Sequence, residues 1–142
     1  MAIRAMVVMG LAAAALFGAA SVSAEEKPVG KERFFEMRTY TAAEGKLEAL
    51  HARFRDHTNA LFTKHGIEMV GYWTPVNEKD GSKNKLVYIL AYPSQEAREA
   101  AWKAFAADPE WVKAKAASEV NGRLVDKVES VYLKPTDYSP VK

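Results

Sequence analysis

The fold is indicated by residues 34–40, which read Phe34-Phe35-Glu36-Met37-Arg38-Thr39-Tyr40. Side chains of a β-strand point alternately to its two faces, and the residue types here alternate with that period. One face therefore carries Glu36 and Arg38 between aromatic rings, and the other carries Phe35 and Met37. A buried carboxylate or guanidinium is costly unless it is paired. The polar face either looks into solvent or lines a cavity where Glu36 and Arg38 meet each other or a ligand.

The composition narrows the class of protein. The 142 residues carry 20 basic and 18 acidic side chains, for a net charge of +2. This near balance argues against a nucleic-acid-binding surface, which normally shows a clustered basic excess. The chain contains no cysteine, which excludes disulfides, a thiolate nucleophile and a cysteine-based metal site.

Residues 1–24 have the pattern of a secretory signal peptide. Arg4 precedes an uncharged run, and Val22 and Ala24 occupy the −3 and −1 positions of a cut after Ala24. A membrane anchor is the alternative, but the run is rich in alanine and glycine and is short for a spanning helix. We expect a secreted or periplasmic protein without stable membrane insertion after cleavage. With no cysteine after the cut, we expect no lipid anchor.

The rest of the chain alternates strand and helix patterns. A flexible arm at 25–32 leads into a domain at 33–134, and a loose tail follows at 135–142. The first predicted helix spans 46–64, with Leu47, Leu50, Phe54, Leu61 and Phe62 on one stripe. Three further strands are predicted at 67–74, 86–92 and 123–133. Two further helices are predicted at 95–107 and 108–119, with N-caps at Ser94 and Asp108.

The order strand, helix, strand, strand, helix, strand is typical of a ferredoxin-like α+β fold with an antiparallel four-stranded sheet. The first and third strands then lie in the middle, and both helical segments cover the same face. The other face carries apolar residues, and a patch of that size needs a partner. We therefore expect two sheets to pack face to face in a homodimeric α/β barrel.

Six short motifs, in order and with their spacing, resemble the NIPSNAP family: EMRTYT at 36–41, EGKL at 44–47, FRDH at 54–57, KHGI at 64–67, VGYW at 70–73 and DPEW at 108–111. The resemblance covers about residues 35–132. It implies the dimeric ferredoxin-like barrel and a relationship to small cofactor-free monooxygenases, without an agreed reaction. NIPSNAP proteins are often described in mitochondria or the bacterial cytosol, and the export signal departs from that pattern.

His57 is the candidate catalytic residue. It lies one heptad after Leu50, so we expect it to face the sheet or its rim. There it is either a core histidine, hydrogen-bonded to a backbone carbonyl or to Glu36, or a pocket histidine. A pocket histidine would accept a proton or anchor a ligand, since its charge changes near neutral pH.

Seven residues are candidate ligand contacts. Arg38 either grips a carboxylate or phosphate with two parallel hydrogen bonds, or pairs with Glu36 or across a dimer. The aromatic residues either wall a cavity or fill the core. The seven candidates are Glu36, Arg38, Tyr40, Phe54, Tyr72, Trp73 and Tyr88.

No metal and no cofactor are expected. The three histidines, at positions 51, 57 and 65, lack the spacing of a helical metal pair, and no glycine-rich phosphate loop or nucleophile elbow is present. Three functions remain open. The chain is an exported homodimer that binds a small, partly apolar molecule between the first helix and the sheet, a cofactor-independent monooxygenase on the same barrel, or a purely structural interaction module.

Overall fold

The computed structural model describes residues 33–142. The predicted signal peptide and the arm at 25–32 lie outside the described residues. The described elements are β1 (Phe34–Ala42), α1 (Leu47–Arg53), α2 (Asn59–Lys64), β2 (Glu68–Trp73), β3 (Lys85–Tyr92), α3 (Gln95–Ala107), α4 (Pro109–Ser118) and β4 (Val125–Leu133). A π-helical turn at Phe54–Thr58 joins α1 to α2, and a 3-10 turn at Glu78–Asp80 precedes β3.

The four strands form one antiparallel sheet in the order β2-β3-β1-β4. Strands β1 and β3 are therefore central, as the sequence predicts, and the ferredoxin-like α+β fold is confirmed. Within residues 33–142, no helix is long and apolar enough to cross a membrane.

The register sorts the side chains of the sheet into two faces. On β1, Glu36 lies opposite Leu90 and Tyr132, and Met37 lies opposite Ile89. The Glu36 face is the one that the helices cover. Its core is fully or almost fully buried and consists mainly of Leu50, Phe54, Leu61, Phe62, Leu86, Tyr88, Leu90, Tyr92, Phe105 and Leu124.

The other face of the sheet, here called the open face, is apolar and is buried at one end, at Phe35 and Ala91. The rest of it is only partly covered within the described part of the chain. It carries Met37 on β1 and Ile89 on β3, both half-buried. Trp73 and Val131 on the edge strands are 51% and 49% exposed. The Trp73 ring lies so close to Gly71 that a Cβ there would be 2.7 Å from it. The predicted uncovered face is therefore observed.

The π-helical turn changes which residues of the first helix face the sheet. Leu50, Phe54, Thr58 and Phe62 are all buried and recur every four residues. At 3.6 residues per turn, each four-residue step would drift by about 40°. The wider turn absorbs the drift, with the Asn59 N–H donating to the Phe54 carbonyl. Thr58 Oγ1 also donates to the Arg53 carbonyl at 3.2 Å.

Both predicted N-caps are observed. The Ser94 hydroxyl accepts from the Ala97 N–H at 3.2 Å at the start of α3. The Asp108 carboxylate accepts from the Glu110 N–H at 2.8 Å at the start of α4. Asp108 also lies 2.7 Å from His65 Nε2 and 2.9 Å from Lys64 Nζ. The hydrogen bonds from Lys64 and His65 hold the pKa of Asp108 below its usual range. This residue therefore joins the end of α2 to the start of α4.

We expect Asp108→Ala to destabilise the fold more than Ser94→Ala. Loss of the Ser94 cap removes one side-chain acceptor and costs about 1 kcal/mol. Loss of Asp108 removes a cap and also leaves His65 and Lys64 without their shared partner. Urea unfolding of both variants beside the wild type measures the difference. Equal losses would show that the contacts to His65 and Lys64 contribute nothing.

Candidate functional site

A buried charge cluster lies at the centre of the helix-covered face. We call it the Glu36 cluster, and it consists of Glu36, Arg38, Tyr92, Arg98 and Ser130. β1 supplies Glu36 and Arg38, and each of β3, β4 and α3 supplies one further side chain. The Glu36 side chain is 0% exposed, and the side chains of Arg38 and Arg98 are 12% and 18% exposed.

Both carboxylate oxygens of Glu36 accept several hydrogen bonds. Oε1 accepts from Arg38 Nη1 at 2.7 Å, from Arg98 Nη2 at 2.8 Å and from the Ser130 hydroxyl. Oε2 accepts from Arg98 Nε at 3.0 Å and from the Tyr92 hydroxyl at 3.2 Å. Arg98 therefore holds the carboxylate with the bidentate geometry that makes such pairs strong.

The charge state of Glu36 follows from these contacts. Burial raises the pKa of its carboxyl group, but the hydrogen bonds from Arg98 and Ser130 and the charge of Arg38 outweigh that effect and lower the pKa to about 2. Glu36 is thus ionised at neutral pH, with donors on both oxygens. It serves as an anchor for the two arginines, and it is poorly suited to act as a free base.

Arg38 is oriented by three aromatic residues. Its Nε donates to the Tyr88 hydroxyl at 3.0 Å, and its Nη2 lies 3.4 Å from the Tyr40 hydroxyl. The guanidinium carbon lies 4.3 Å from the centroid of the Trp102 ring, a distance typical of a cation–π contact. Four of the predicted ligand contacts, Glu36, Arg38, Tyr40 and Tyr88, therefore lie together, and they contact one another.

A cavity of about 370 Å³ lies beside this cluster, between the sheet at β1 and β4 and the helices around it. We call it the aromatic cavity because six of its sixteen lining residues are aromatic. Two of the predicted ligand contacts, Tyr40 and Phe54, are among them. The six are Tyr40, Phe54, Phe62, Trp102, Phe105 and Trp111.

The aromatic cavity and the Glu36 cluster share a wall. Trp102 faces the cavity, stacks on Arg38 and donates its indole N–H to the Tyr92 hydroxyl at 2.8 Å. Tyr40 likewise lines the cavity while its hydroxyl lies next to Arg38. The buried charges therefore hold two of the cavity's aromatic walls in fixed orientations.

A second, smaller cleft of about 280 Å³ lies on the β2 side of the first helix. Phe54, Tyr72 and Trp73 line it, so these three predicted contacts are brought together there. Burial raises the pKa of the Tyr72 hydroxyl above its usual range, and that hydroxyl donates to Asn59 Oδ1 at 2.9 Å. The Phe54 ring borders both this cleft and the aromatic cavity.

These features can be compared with known proteins. The NIPSNAP family model matches residues 35–140. The chain belongs to the NIPSNAP family. No curated protein matches it.

Solved structures of NIPSNAP proteins resemble the chain along most of their length. A NIPSNAP family protein of unknown function from Agrobacterium tumefaciens is 26% identical, and the match covers 80% of this chain and 96% of that one with a TM-score of 0.68. An uncharacterized NIPSNAP domain protein from Burkholderia xenovorans is 29% identical, with 75% and 98% covered and a TM-score of 0.63. A second Agrobacterium tumefaciens family protein, 23% identical with 78% and 99% covered, shares the fold at a TM-score of 0.67.

His57 of this NIPSNAP chain does not face the sheet. It is exposed and lies in an outer groove beside Asp56, Ala60 and α4. The prediction of an inward-facing His57 was wrong because the π-helical turn adds a residue to the repeat, so that Thr58 takes the buried position. A catalytic role for His57 stays a prediction, now without a place in the aromatic cavity.

The sequence patterns do not indicate two arginines that the structure places at the site. Arg53 lies outside the predicted apolar stripe, yet it is 5% exposed because α4 covers the flank of α1, and its Nη1 lies 2.9 Å from Glu119 Oε1. Arg98 belongs to no motif of the sequence. The available signal was its position one helical turn before Trp102, on the side of α3 that packs on the sheet.

Among residues 33–142 of this NIPSNAP protein, no group of three or more His, Cys, Asp or Glu side chains is placed to hold a metal ion.

We expect Glu36→Gln to destabilise the protein by ~3–5 kcal/mol at neutral pH, because it leaves two arginines buried without their carboxylate. The pH dependence should change as well. The pKa of Glu36 falls from an ordinary value of 4.5 to about 2 on folding, so its ionisation contributes on the order of 3 kcal/mol. That contribution is complete above about pH 4.5 and is lost as the pH falls toward 2.

Urea unfolding between pH 7 and pH 2 measures this contribution, and the stability of Glu36→Gln should fall less steeply than that of the wild type below pH 4.5. Glu48→Gln is the matched control, since Glu48 pairs with Arg55 at 2.9 Å on an exposed surface and such pairs contribute little. Parallel pH profiles of stability for the wild type and Glu36→Gln would contradict the claim that ionised Glu36 stabilises the fold.

Proposed function

We propose that this NIPSNAP protein is an exported homodimer that binds a small, partly apolar molecule in the aromatic cavity between its first helix and its sheet. The observation that carries the proposal is the cavity itself. Its volume of about 370 Å³ falls within the range of small-molecule sites, which are mostly apolar with a few placed polar groups. Export is supported by the signal-peptide pattern of residues 1–24.

Preorganisation of the walls supports binding. The centroid of the Phe105 ring lies 4.5 Å from that of the Trp111 ring and 5.4 Å from that of the Trp102 ring. The Tyr40 ring lies 6.0 Å from the Phe54 ring. Rings that already pack against one another lose little freedom when a ligand enters, which favours affinity.

The alternative of a cofactor-independent monooxygenase has less support. It depends on His57 as the proton acceptor, and His57 lies in the outer groove and is not one of the cavity's lining residues. Glu36 is a buried carboxylate on the sheet, but its low pKa and its hydrogen-bond donors make it a weak base.

We expect a screen of small apolar molecules by thermal unfolding to find ligands that raise the melting temperature. A ligand at 100 times its dissociation constant stabilises the native state by about 2.7 kcal/mol. Val128→Trp should abolish this shift, because Val128 lines the cavity and is 46% exposed, so an indole there fills the space. Val120→Trp, at a site 76% exposed and outside the cavity lining, is the control. Shifts that survive in Val128→Trp would place the ligand elsewhere.

The homodimer is proposed from the open face. A two-fold contact needs a self-complementary surface, and this face runs across all four strands with apolar side chains in the middle. At its edge on β4, Lys127 Nζ and Glu129 Oε1 lie 2.9 Å apart. Opposite charges side by side can pair with the same two charges of a second copy.

We expect the wild type to have twice the mass of one chain in light scattering, and Val131→Asp to have the mass of one chain with the fold intact. Val131 is 49% exposed on the open face, so the new carboxylate disturbs a contact between copies while leaving the core alone. Val76→Asp, at a loop site 92% exposed, should remain dimeric. A single-chain mass for the wild type at high concentration would overturn the dimer.

A further inference from the structure

We propose that the ligand of the aromatic cavity is an organic acid, with an apolar body against the aromatic walls and an anionic group held by Arg53. The inference rests on the proposed function and deepens it by naming the chemical class of the ligand. Three observations support it: a buried donor without a partner, an excess of basic groups around the cavity, and a further positive charge behind its wall.

The first observation is the Nε of Arg53. The Arg53 residue is 5% exposed and lines the cavity. Its Nη1 donates to Glu119 Oε1 at 2.9 Å and to the Ser118 hydroxyl at 3.3 Å, whereas its buried Nε has no hydrogen-bond partner in the described part of the chain. A buried donor left unpaired costs about 1–3 kcal/mol. Arg53 lines the cavity, so a ligand oxygen that reaches its guanidinium group from there would supply the missing acceptor.

The position of Arg53 is fixed from three sides. Its guanidinium carbon lies 5.3 Å from the centroid of the Trp111 ring, and Glu119 holds one end of the group. Its backbone carbonyl accepts from Thr58 Oγ1 across the π-helical turn. π-Helical turns occur frequently at functional sites, and this one begins at Phe54, the next residue and a wall of the same cavity. The planar fork of an arginine matches a carboxylate better than a lysine does.

The second observation is the charge of the lining. Four basic side chains line the cavity, Arg53, Lys115, Arg123 and Lys127, against two acidic ones, Glu119 and Asp126. Each of the two acids already pairs with an arginine, Glu119 with Arg53 and Asp126 with Arg123 at 2.6 Å. Lys127 pairs with Glu129 on the open face. The lining is therefore left with the positive charge of Lys115, which attracts anions into a cleft with apolar walls.

The third observation is the net charge of the Glu36 cluster, which lies behind the aromatic wall of the cavity. The Glu36 cluster contains two guanidinium groups and one carboxylate, so it carries a net positive charge. Trp102 and Tyr40 separate it from the cavity. In a low-dielectric interior this charge is poorly screened and favours an anion at the cavity.

The test compares two fluorescent probes with the same aromatic body. 8-Anilinonaphthalene-1-sulfonate carries an anionic group, and N-phenyl-1-naphthylamine does not. Both are titrated into the mature protein, and the rise in probe emission reports binding. We expect the anionic probe to bind at least tenfold more tightly than the neutral one.

Variants assign the preference to Arg53. Arg53→Met should bring the affinity for the anionic probe down to that for the neutral probe. Arg55→Met is the matched control, because Arg55 lies two residues away with a side chain 62% exposed, and it should behave as wild type. Glu119→Gln removes the carboxylate that competes for Arg53 and should tighten anionic binding even if Arg53→Met fails to fold. Val128→Trp should abolish binding of both probes.

The outcomes separate this inference from the proposed function. Equal affinity for the two probes in the wild type overturns the proposal that the ligand is an organic acid. Unchanged affinity for the anionic probe in both Arg53→Met and Glu119→Gln does the same. In either case the cavity is retained as a binding site. Binding that survives in Val128→Trp places the probes outside the aromatic cavity and overturns the inference. Failure of both probes to bind contradicts both the cavity as a binding site and the organic acid as its ligand.

Discussion

The structure depends on one buried carboxylate. Glu36 is fully buried in the central strand β1, and its five hydrogen-bond donors come from β1, β3, β4 and α3. Three of the four strands and one helix therefore share a single anion as their common acceptor. Removing one partner of such a group leaves the others buried and unsatisfied, which is far more costly than losing a surface pair. This constraint explains why a strand can carry a glutamate and an arginine on its covered face.

Much of the fold follows from local patterns. The alternation at 34–40, the caps at Ser94 and Asp108 and the apolar run at 86–92 are each patterns of residues close together in the sequence, so these elements could be predicted from it. The site could be predicted only in part. Glu36 and Arg38 share a strand face, so their pairing was among the alternatives, but Arg53 and Arg98 find their partners 66 and 62 residues away. No local pattern contains that information.

The error at His57 has a physical origin. A heptad extrapolated from Leu50 assumes an unbroken α-helix, and the π-helical turn at Phe54–Thr58 inserts one residue into that repeat. The turn keeps Phe54 and Phe62 on the buried side and moves Thr58 inward in place of the histidine. Arg53 ends the regular helix before the turn, and it lies at the cavity, covered by α4. One local irregularity therefore removed the expected candidate from the site.

Membership of the NIPSNAP family fixes the scaffold and leaves the chemistry to be argued from the site. The solved relatives share 23–29% of their residues with this chain, which is enough for a common fold, and fold alone carries no function. On the helix-covered face, both carboxylate oxygens of Glu36 have hydrogen-bond donors, whereas the Nε of Arg53 has no acceptor. A saturated cluster rigidifies the walls, whereas an unsaturated donor next to an apolar space costs stability unless something binds it. That pairing of a rigid wall with an unpartnered donor is the reason to expect a ligand here and not simply an imperfectly filled core.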